Sequence, residues 1–294
     1  MAASSTRRLA RQLLLASRPV SWINTAFPFA AAYYLTTGQI DAALIIGTIF
    51  FLVPYNLAMY GINDVFDYES DLANRRKGGL EGAVLERGAH RSTLRAAVLL
   101  STPFVVALIL LGGSLSWAVL AFSLFAVAAY SVPGLRFKEK PFLDSITSST
   151  HFVSPAVYGL ALAGAEFTPQ LLALLGAFLL WGIASHAFGA VQDVIPDRAS
   201  GIASVATVMG AKWTVRFAIA AWAAVGFLLL LTASPGPWAA LLVLPYIAAC
   251  VPYWFVADEN SEQANRGWKR FLWLNYAVGF LITLLLISYE FERH

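Results

Sequence analysis

Asn63-Asp64-Val65-Phe66-Asp67-Tyr68-Glu69-Ser70-Asp71 stands where a long apolar run gives out, in a chain that is 59% hydrophobic and only 13% charged. Asp64, Asp67 and Asp71 fall at i, i+3 and i+7, so a helix through them would set three carboxylates on one face. Carboxylates crowded beside a membrane repel one another unless cations neutralise them. A solvated acidic loop between two helices is the plain alternative. A second segment, Gln192-Asp193-Val194-Ile195-Pro196-Asp197, follows another apolar run and again sets two carboxylates four apart. Together the clusters point to a divalent-metal site built to hold something anionic.

Composition sets the class. A mean hydropathy of +0.66 over 294 residues does not describe a soluble domain. Apolar runs long enough to cross a bilayer recur at 19–36, 43–62, 94–112, 115–132, 142–163, 168–190, 213–232, 237–256 and 271–289. The expected fold is therefore an all-α integral membrane protein of about nine transmembrane helices, a single membrane-embedded domain over 1–294. Asn-Asp-Val-x-Asp and Gln-Asp-Val-x-x-Asp each end an apolar helix, four spans apart. That echo suggests two similar four-helix halves around a central cavity, with a ninth helix added.

The basic residues test this topology. With nine spans and the N-terminus in the cytoplasm, 20 Lys and Arg minus Arg293 alone fall on the inner side, the asymmetry that the positive-inside rule predicts. Both acidic clusters then face the cytoplasm, in a multi-pass protein of the cell membrane. The net charge of +3 is accordingly a topology signal, with no call for a nucleic-acid partner. Residues 1–18, with Arg7, Arg8 and Arg11 beside Leu9, Leu13 and Leu14, suit a cytoplasmic interfacial segment against the lipid. The lone Cys250 lies inside an expected span and reads as a core thiol.

Carboxylates from two helix ends could hold Mg²⁺, a hard cation that takes oxygen ligands and shares its shell with substrate phosphates. Arg75, Arg76 and Lys77 past the first cluster, Arg136 and Lys138 after the fourth span, and Arg198 beside the second could clamp phosphate oxygens. An anion held between metal and cations at a membrane surface points to a diphosphate. An isoprenyl tail on it could lie among the apolar helices, and aromatic faces could stabilise an allylic cation. A Mg²⁺ or organic-anion transporter is the non-enzymatic alternative. It calls for acids at mid-bilayer in broken helices, whereas these acids stand at helix ends.

Asn63-Asp64-x-x-Asp67-x-x-x-Asp71, Asp193 to Asp197, and Tyr130-Ser-Val-Pro-Gly-Leu-Arg136-Phe-Lys138 between them resemble the UbiA superfamily of intramembrane prenyltransferases. The resemblance implies Mg²⁺ ligands at Asn63, Asp64, Asp67, Asp71, Asp193 and Asp197. It implies catalytic roles for Asp64, Asp67, Asp193 and Asp197, with Tyr130 and Lys138 on the diphosphate or its leaving oxygen. Asn63, Gln192, Arg75, Lys77, Arg136 and Arg198 are the candidate substrate-binding residues beside them. Ser17-Arg18-Pro19 through Pro28, Asn63 through Gly79, and His186 through Thr207 narrow the resemblance to the lycopene-elongase branch. That branch implies transfer of a dimethylallyl group from dimethylallyl diphosphate to the ends of lycopene, giving C45 and C50 carotenoids, with or without hydration. An aromatic acceptor, a quinone precursor or a chlorophyllide-like ring, is the alternative within the superfamily.

Some residues carry two readings. His186 lies two turns before Asp193 and on roughly its face; His151 is also intramembrane, and either can be a site residue or a hydrogen-bonded bundle residue. Asn24, placed inside the first span, can contact substrate or glue helices. Trp22, Trp181, Trp213 and Trp268 read as interface anchors. Pro196 removes a helix bond to the Gln192 carbonyl, so the sixth helix should end or kink at the second cluster.

Overall fold

The computed structural model describes residues 2–68 and 85–293, and every regular element among them is a helix. Asp71, Arg75, Arg76, Lys77 and Glu69 lie outside the described residues. In chain order the helices are α1 (Ala2–Ala16), α2 (Ile23–Thr37), α3 (Ala42–Leu52), α4 (Pro54–Phe66), α5 (His90–Leu111), α6 (Ser114–Ser131) and α7 (Leu143–Leu162). They continue as α8 (Pro169–Val191), α9 (Val194–Ala199), α10 (Val205–Met209), α11 (Ala211–Leu230), α12 (Gly236–Ala239), α13 (Leu244–Cys250) and α14 (Asn265–Arg293).

Among the described residues, seven helical stretches are long and apolar enough to cross a membrane: Ala42–Phe66, Arg87–Leu111, Ser114–Ser131, Pro169–Val191, Ala211–Leu230, Gly236–Tyr253 and Asp258–Glu292. The remaining two expected spans, 19–36 and 142–163, are helices that fall short in different ways. α2 has 15 residues because Pro19–Ser21 forms a separate turn before it; at 1.5 Å per residue it covers about 22 Å. α7 has 20 residues, but Asp144, His151 and a run of Ser and Thr dilute its apolar character.

The helix ends follow local chemistry. Gly38, at φ +66°, closes α2 by donating to the Tyr34 carbonyl at 2.7 Å. Asp41 starts α3 by accepting the Leu44 N–H at 2.9 Å and also accepts from the Tyr33 hydroxyl at 2.8 Å. Pro54 has no N–H to give, so the expected span 43–62 is broken into α3 and α4 at Val53. The carbonyls of Phe51 and Leu52 beside the break are taken up by side chains. Asn56 Nδ2 donates to both, at 2.8 and 3.1 Å, and to Thr25 Oγ1 at 2.7 Å, while Thr25 Oγ1 donates to Phe51 O at 2.7 Å. Pro245 and Pro252 likewise cut the stretch 236–253 into short helical pieces.

The chain divides into two compact units. One comprises Met1–Phe137 and His151–Ala165, the other Lys138–Thr150 and Glu166–His294. The first is centred on Phe29, Phe50, Phe51, Tyr55 and Tyr158, whose rings lie 4.9 to 5.9 Å apart. The second is built on α8 packed against α11, whose buried small residues include Ala184, Ala211 and Ala218, which let helices approach closely. Trp222, Phe188, Tyr246 and Phe271 fill its centre. Large apolar side chains remain exposed along the long helices, Val98, Leu99 and Leu110 among them, which is what a lipid-facing surface requires.

Candidate active site

The first acidic motif lies at the end of α4. The helix stops at Phe66, so Asn63 and Asp64 stand in its last turn and Asp67 caps it, its N–H donating to Asn63 O at 2.9 Å. The helical face expected to carry Asp64, Asp67 and Asp71 is interrupted at Asp67, and Asp71 lies outside the described residues. Asp64 is 1% exposed and Asp67 9%. Burial of carboxylates at this depth demands cationic partners, and the first unit supplies two.

Arg18 reaches Asp64 from 46 residues upstream, Nη2 to Oδ1 at 3.0 Å. Its guanidinium also lies 4.2 Å over the ring of Tyr60, one helical turn before Asp64. Arg136 approaches Asp67 from the turn after α6, with 3.8 Å between Nη2 and Oδ1, an ion-pair distance beyond hydrogen-bond length. Both arginines have left-handed backbones, φ +49° at Arg18 and +41° at Arg136. For residues other than glycine that conformation costs about 1 kcal/mol or more, and such strain gathers at functional sites. Around Arg18 the alternative is restricted as well, because Pro19 disfavours the right-handed helical region for the residue before it. Ser131 Oγ completes this group, donating to Asn63 Oδ1 at 2.9 Å. Tyr130 is half-buried with its ring edge-on to His151, centroids 5.3 Å apart and planes at 82°.

The second motif is organised differently. α8 ends at Val191 and α9 begins at Val194, with Pro196 in its first turn, so the helix does break at Asp193 as the proline predicts. Asp193 and Asp197 are half-buried, and the Asp197 N–H donates to Asp193 O at 2.9 Å. Gln192 is tied down: Nε2 donates to Gly189 O at 2.8 Å, and Oε1 accepts from Asn265 Nδ2 at the start of α14. Arg198 turns onto other parts of the second unit. Its Nε and Nη2 donate to Thr207 O at 3.0 and 2.7 Å, and Nη1 donates to Asp258 Oδ2 at 2.5 Å. Asp258 in turn accepts the Ala211 N–H at 2.6 Å. Lys138 is half-buried in the turn Phe137–Glu139.

His186 Nδ1 lies 3.0 Å from Ser145 Oγ. Next to Ser145, the fully buried Asp144 accepts the Val205 N–H at 2.8 Å. Asn24, expected inside its span, is exposed; the buried polar residue of α2 is its neighbour Thr25, about 100° further round the helix. Two contacts escaped the sequence reading. Arg18 enters the sequence only among the inner basic residues and in the stretch Ser17 through Pro28, and nothing in local spacing pairs it with Asp64. Asp144 left a usable signal, an acid in the first turn of an expected span.

All the motif ligands offer oxygen, the donor that a hard divalent cation takes. Among the described residues no three His, Cys, Asp or Glu side chains converge on a common metal position. Mg²⁺ keeps waters and is held through one or two carboxylates plus substrate phosphates.

A cationic and acidic membrane-edge site on a helical bundle defines a class, and sequence comparison agrees with it. Residues 25–275 match the UbiA prenyltransferase family, and the chain belongs to that family of enzymes. It is 57% identical over 284 residues, 96% of its own length, to the C(50) beta-cyclic carotenoids biosynthesis protein LbtBC of Dietzia sp.; the match spans 66% of that protein. It is 49% identical over 278 residues to the lycopene elongase/hydratase of Corynebacterium glutamicum, covering 95% of this chain and 97% of that one. In fold it is similar to a UbiA homologue from Archaeoglobus fulgidus bound to DMAPP and Mg²⁺, with a TM-score of 0.65 at 19% identity, over 91% of this chain and 98% of that one.

Proposed function

We propose that this enzyme transfers a dimethylallyl group from dimethylallyl diphosphate to the terminal double bonds of lycopene, giving C45 and C50 carotenoids, with Mg²⁺ as its metal. The observation that carries the donor half is the end of α4, where two carboxylates with little exposure each face an arginine. Such an array of alternating charge is suited to a polyanion that arrives with its own cation. The acceptor rests on the likeness to the lycopene elongase/hydratase of C. glutamicum over nearly the full length of both chains.

In this reading Asn63, Asp64, Asp67 and Asp71, with Asp193 and Asp197, hold Mg²⁺. Bound there, the metal neutralises charge on the diphosphate as its C–O bond breaks. Arg136, Arg75, Lys77 and Lys138 bind the remaining phosphate oxygens, and Tyr130 donates towards the leaving oxygen. The chain crosses the membrane nine times, in two similar halves. The N-terminus and the acidic loops face the cytoplasm, in keeping with a basic-residue distribution that leaves only Arg293 on the other side. The prenyl tail lies against apolar side chains that exclude water, so the allylic cation survives to meet the alkene. The tertiary cation that results either loses a proton or captures water.

Expression in a lycopene-producing bacterial host tests this, followed by mass analysis of the pigments. C45 and C50 products are expected. Unchanged lycopene, with the protein in the membrane and dimethylallyl diphosphate present, sinks the carotenoid assignment and leaves the aromatic acceptor as the reading within the family.

A further inference from the structure

The first turns of α11 and the segment after α13 carry a cluster that prenyl transfer does not use. The Arg216 guanidinium carbon lies 4.8 Å from the ring centre of Trp213, 4.9 Å from Trp254 and 5.7 Å from Phe255. Lys212, one turn earlier on the same face, places its ammonium 5.5 Å from the Trp213 ring. Among the described residues neither cation pairs with a carboxylate. Asp258, hydrogen-bonded to the Ala211 N–H beside them, is already paired with Arg198. Arg216 Nε is shielded from solvent with no hydrogen-bond partner. The rings are turned outward: Trp213 is 55% exposed, Trp254 36% and Phe255 81%.

Aromatic faces attract a cation but do not neutralise it. Two like charges on one helix face therefore favour an anion from outside the chain. Exposed tryptophans at the end of a membrane helix mark the depth of the lipid headgroups, and the anion found there is the lipid phosphate. Guanidinium matches phosphate through paired donors, while lysine adds a point charge. A small soluble anion would balance the charge but leave the three rings bare; a lipid covers both.

We propose that Lys212, Trp213, Arg216, Trp254 and Phe255 form a binding site for an anionic phospholipid. Its headgroup phosphate lies on Arg216 and Lys212, and its glycerol and upper acyl chain lie against the rings. The site does not depend on which prenyl donor or acceptor the enzyme uses.

Native mass spectrometry of the full chain, released from micelles containing equal phosphatidylglycerol and phosphatidylcholine, tests it. The wild type should retain phosphatidylglycerol preferentially. Arg216→Gln should cut that preference about fivefold, the factor that corresponds to about 1 kcal/mol per cation near an anionic surface. Arg216→Lys should keep most of it. Should Arg216→Gln fail to fold, Lys212→Gln and the exposed Phe255→Ala carry the test, and each should weaken retention. Equal retention of the two lipids by the wild type overturns the proposal. So does unchanged preference in every variant. Thermal stabilisation by inorganic phosphate that Arg216→Gln abolishes, with no effect of phosphatidylglycerol, would assign the cluster to a soluble anion and overturn the lipid.

Discussion

The two acidic motifs share a sequence signature and differ in wiring. At the end of α4, Asp64 and Asp67 draw cations from distant parts of the first unit, Arg18 from before α2 and Arg136 from after α6. At the end of α8, the neighbours of the carboxylates are occupied with scaffolding. Gln192 holds Asn265, and Arg198 spans Thr207 and Asp258. In one unit the acids meet guanidiniums drawn from afar; in the other, the residues flanking the acids hold backbone and loop. A cation adjoining an acidic motif in sequence need not serve that motif, and one far away can.

Substitutions can break this contrast. The largest effect is expected where the motifs act alike: Asp67→Ala and Asp193→Ala should each lower turnover by about 10²-fold or more, with the protein still in the membrane. Full activity in either variant, measured as prenyl product per enzyme, refutes the metal role. Next is Arg18→Ala, which removes a guanidinium from a buried carboxylate and should cost about 3 kcal/mol of stability. Arg18→Lys should recover only part, because an ammonium does not stack on Tyr60 as a guanidinium does. A thermal melt in detergent reads both. The double variant Arg18→Ala/Asp64→Ala should be more stable than Arg18→Ala alone.

In the second motif the expected losses are smaller. Gln192→Ala removes the partner of the Asn265 amide and should cost about 1–2 kcal/mol. A melting temperature lowered as far as in Arg18→Ala would erase the distinction between the two units. The smallest effect is a control away from both motifs. The Leu44 N–H, helped by the Tyr33 hydroxyl, holds the Asp41 carboxyl below the usual carboxylate range. A carboxylate depressed in the folded state stabilises fully above its ordinary pKa, near 3.9, and loses that contribution as pH falls through the depressed value. Asp41→Asn should flatten that acid limb of a melting-temperature profile, at a cost near neutral pH of about 1 kcal/mol or less.

The membrane class and most helices were legible because apolar length is a local property. The expected 94–112, 115–132, 168–190 and 213–232 correspond to α5, α6, α8 and α11 with shifts of a few residues. Where the reading was coarser, proline explains it: Pro54 splits one expected span, and Pro245 and Pro252 fragment another. The carboxylates were legible because they sit where hydropathy collapses. Their partners were not, since the direction of a guanidinium depends on folds of the chain 46 or 60 residues away, as with Arg18 and Asp64 or Arg198 and Asp258. Asn24 and Thr25 show the same limit at its smallest scale, where one residue of helix phase separates exposed from buried.

The interruption at Val53–Pro54 bears on how this chain tolerates change over generations. In an unbroken helix the last turn inherits its aim from every main-chain bond before it. At Pro54 that line of inheritance is cut, and the two carbonyls beside the break are held instead by side chains, Asn56 on both and Thr25 on one. Drift in the sequence of α3 is thereby insulated from the carboxylates. A single change at Asn56 is not, and it would be felt two turns away by residues that it never touches.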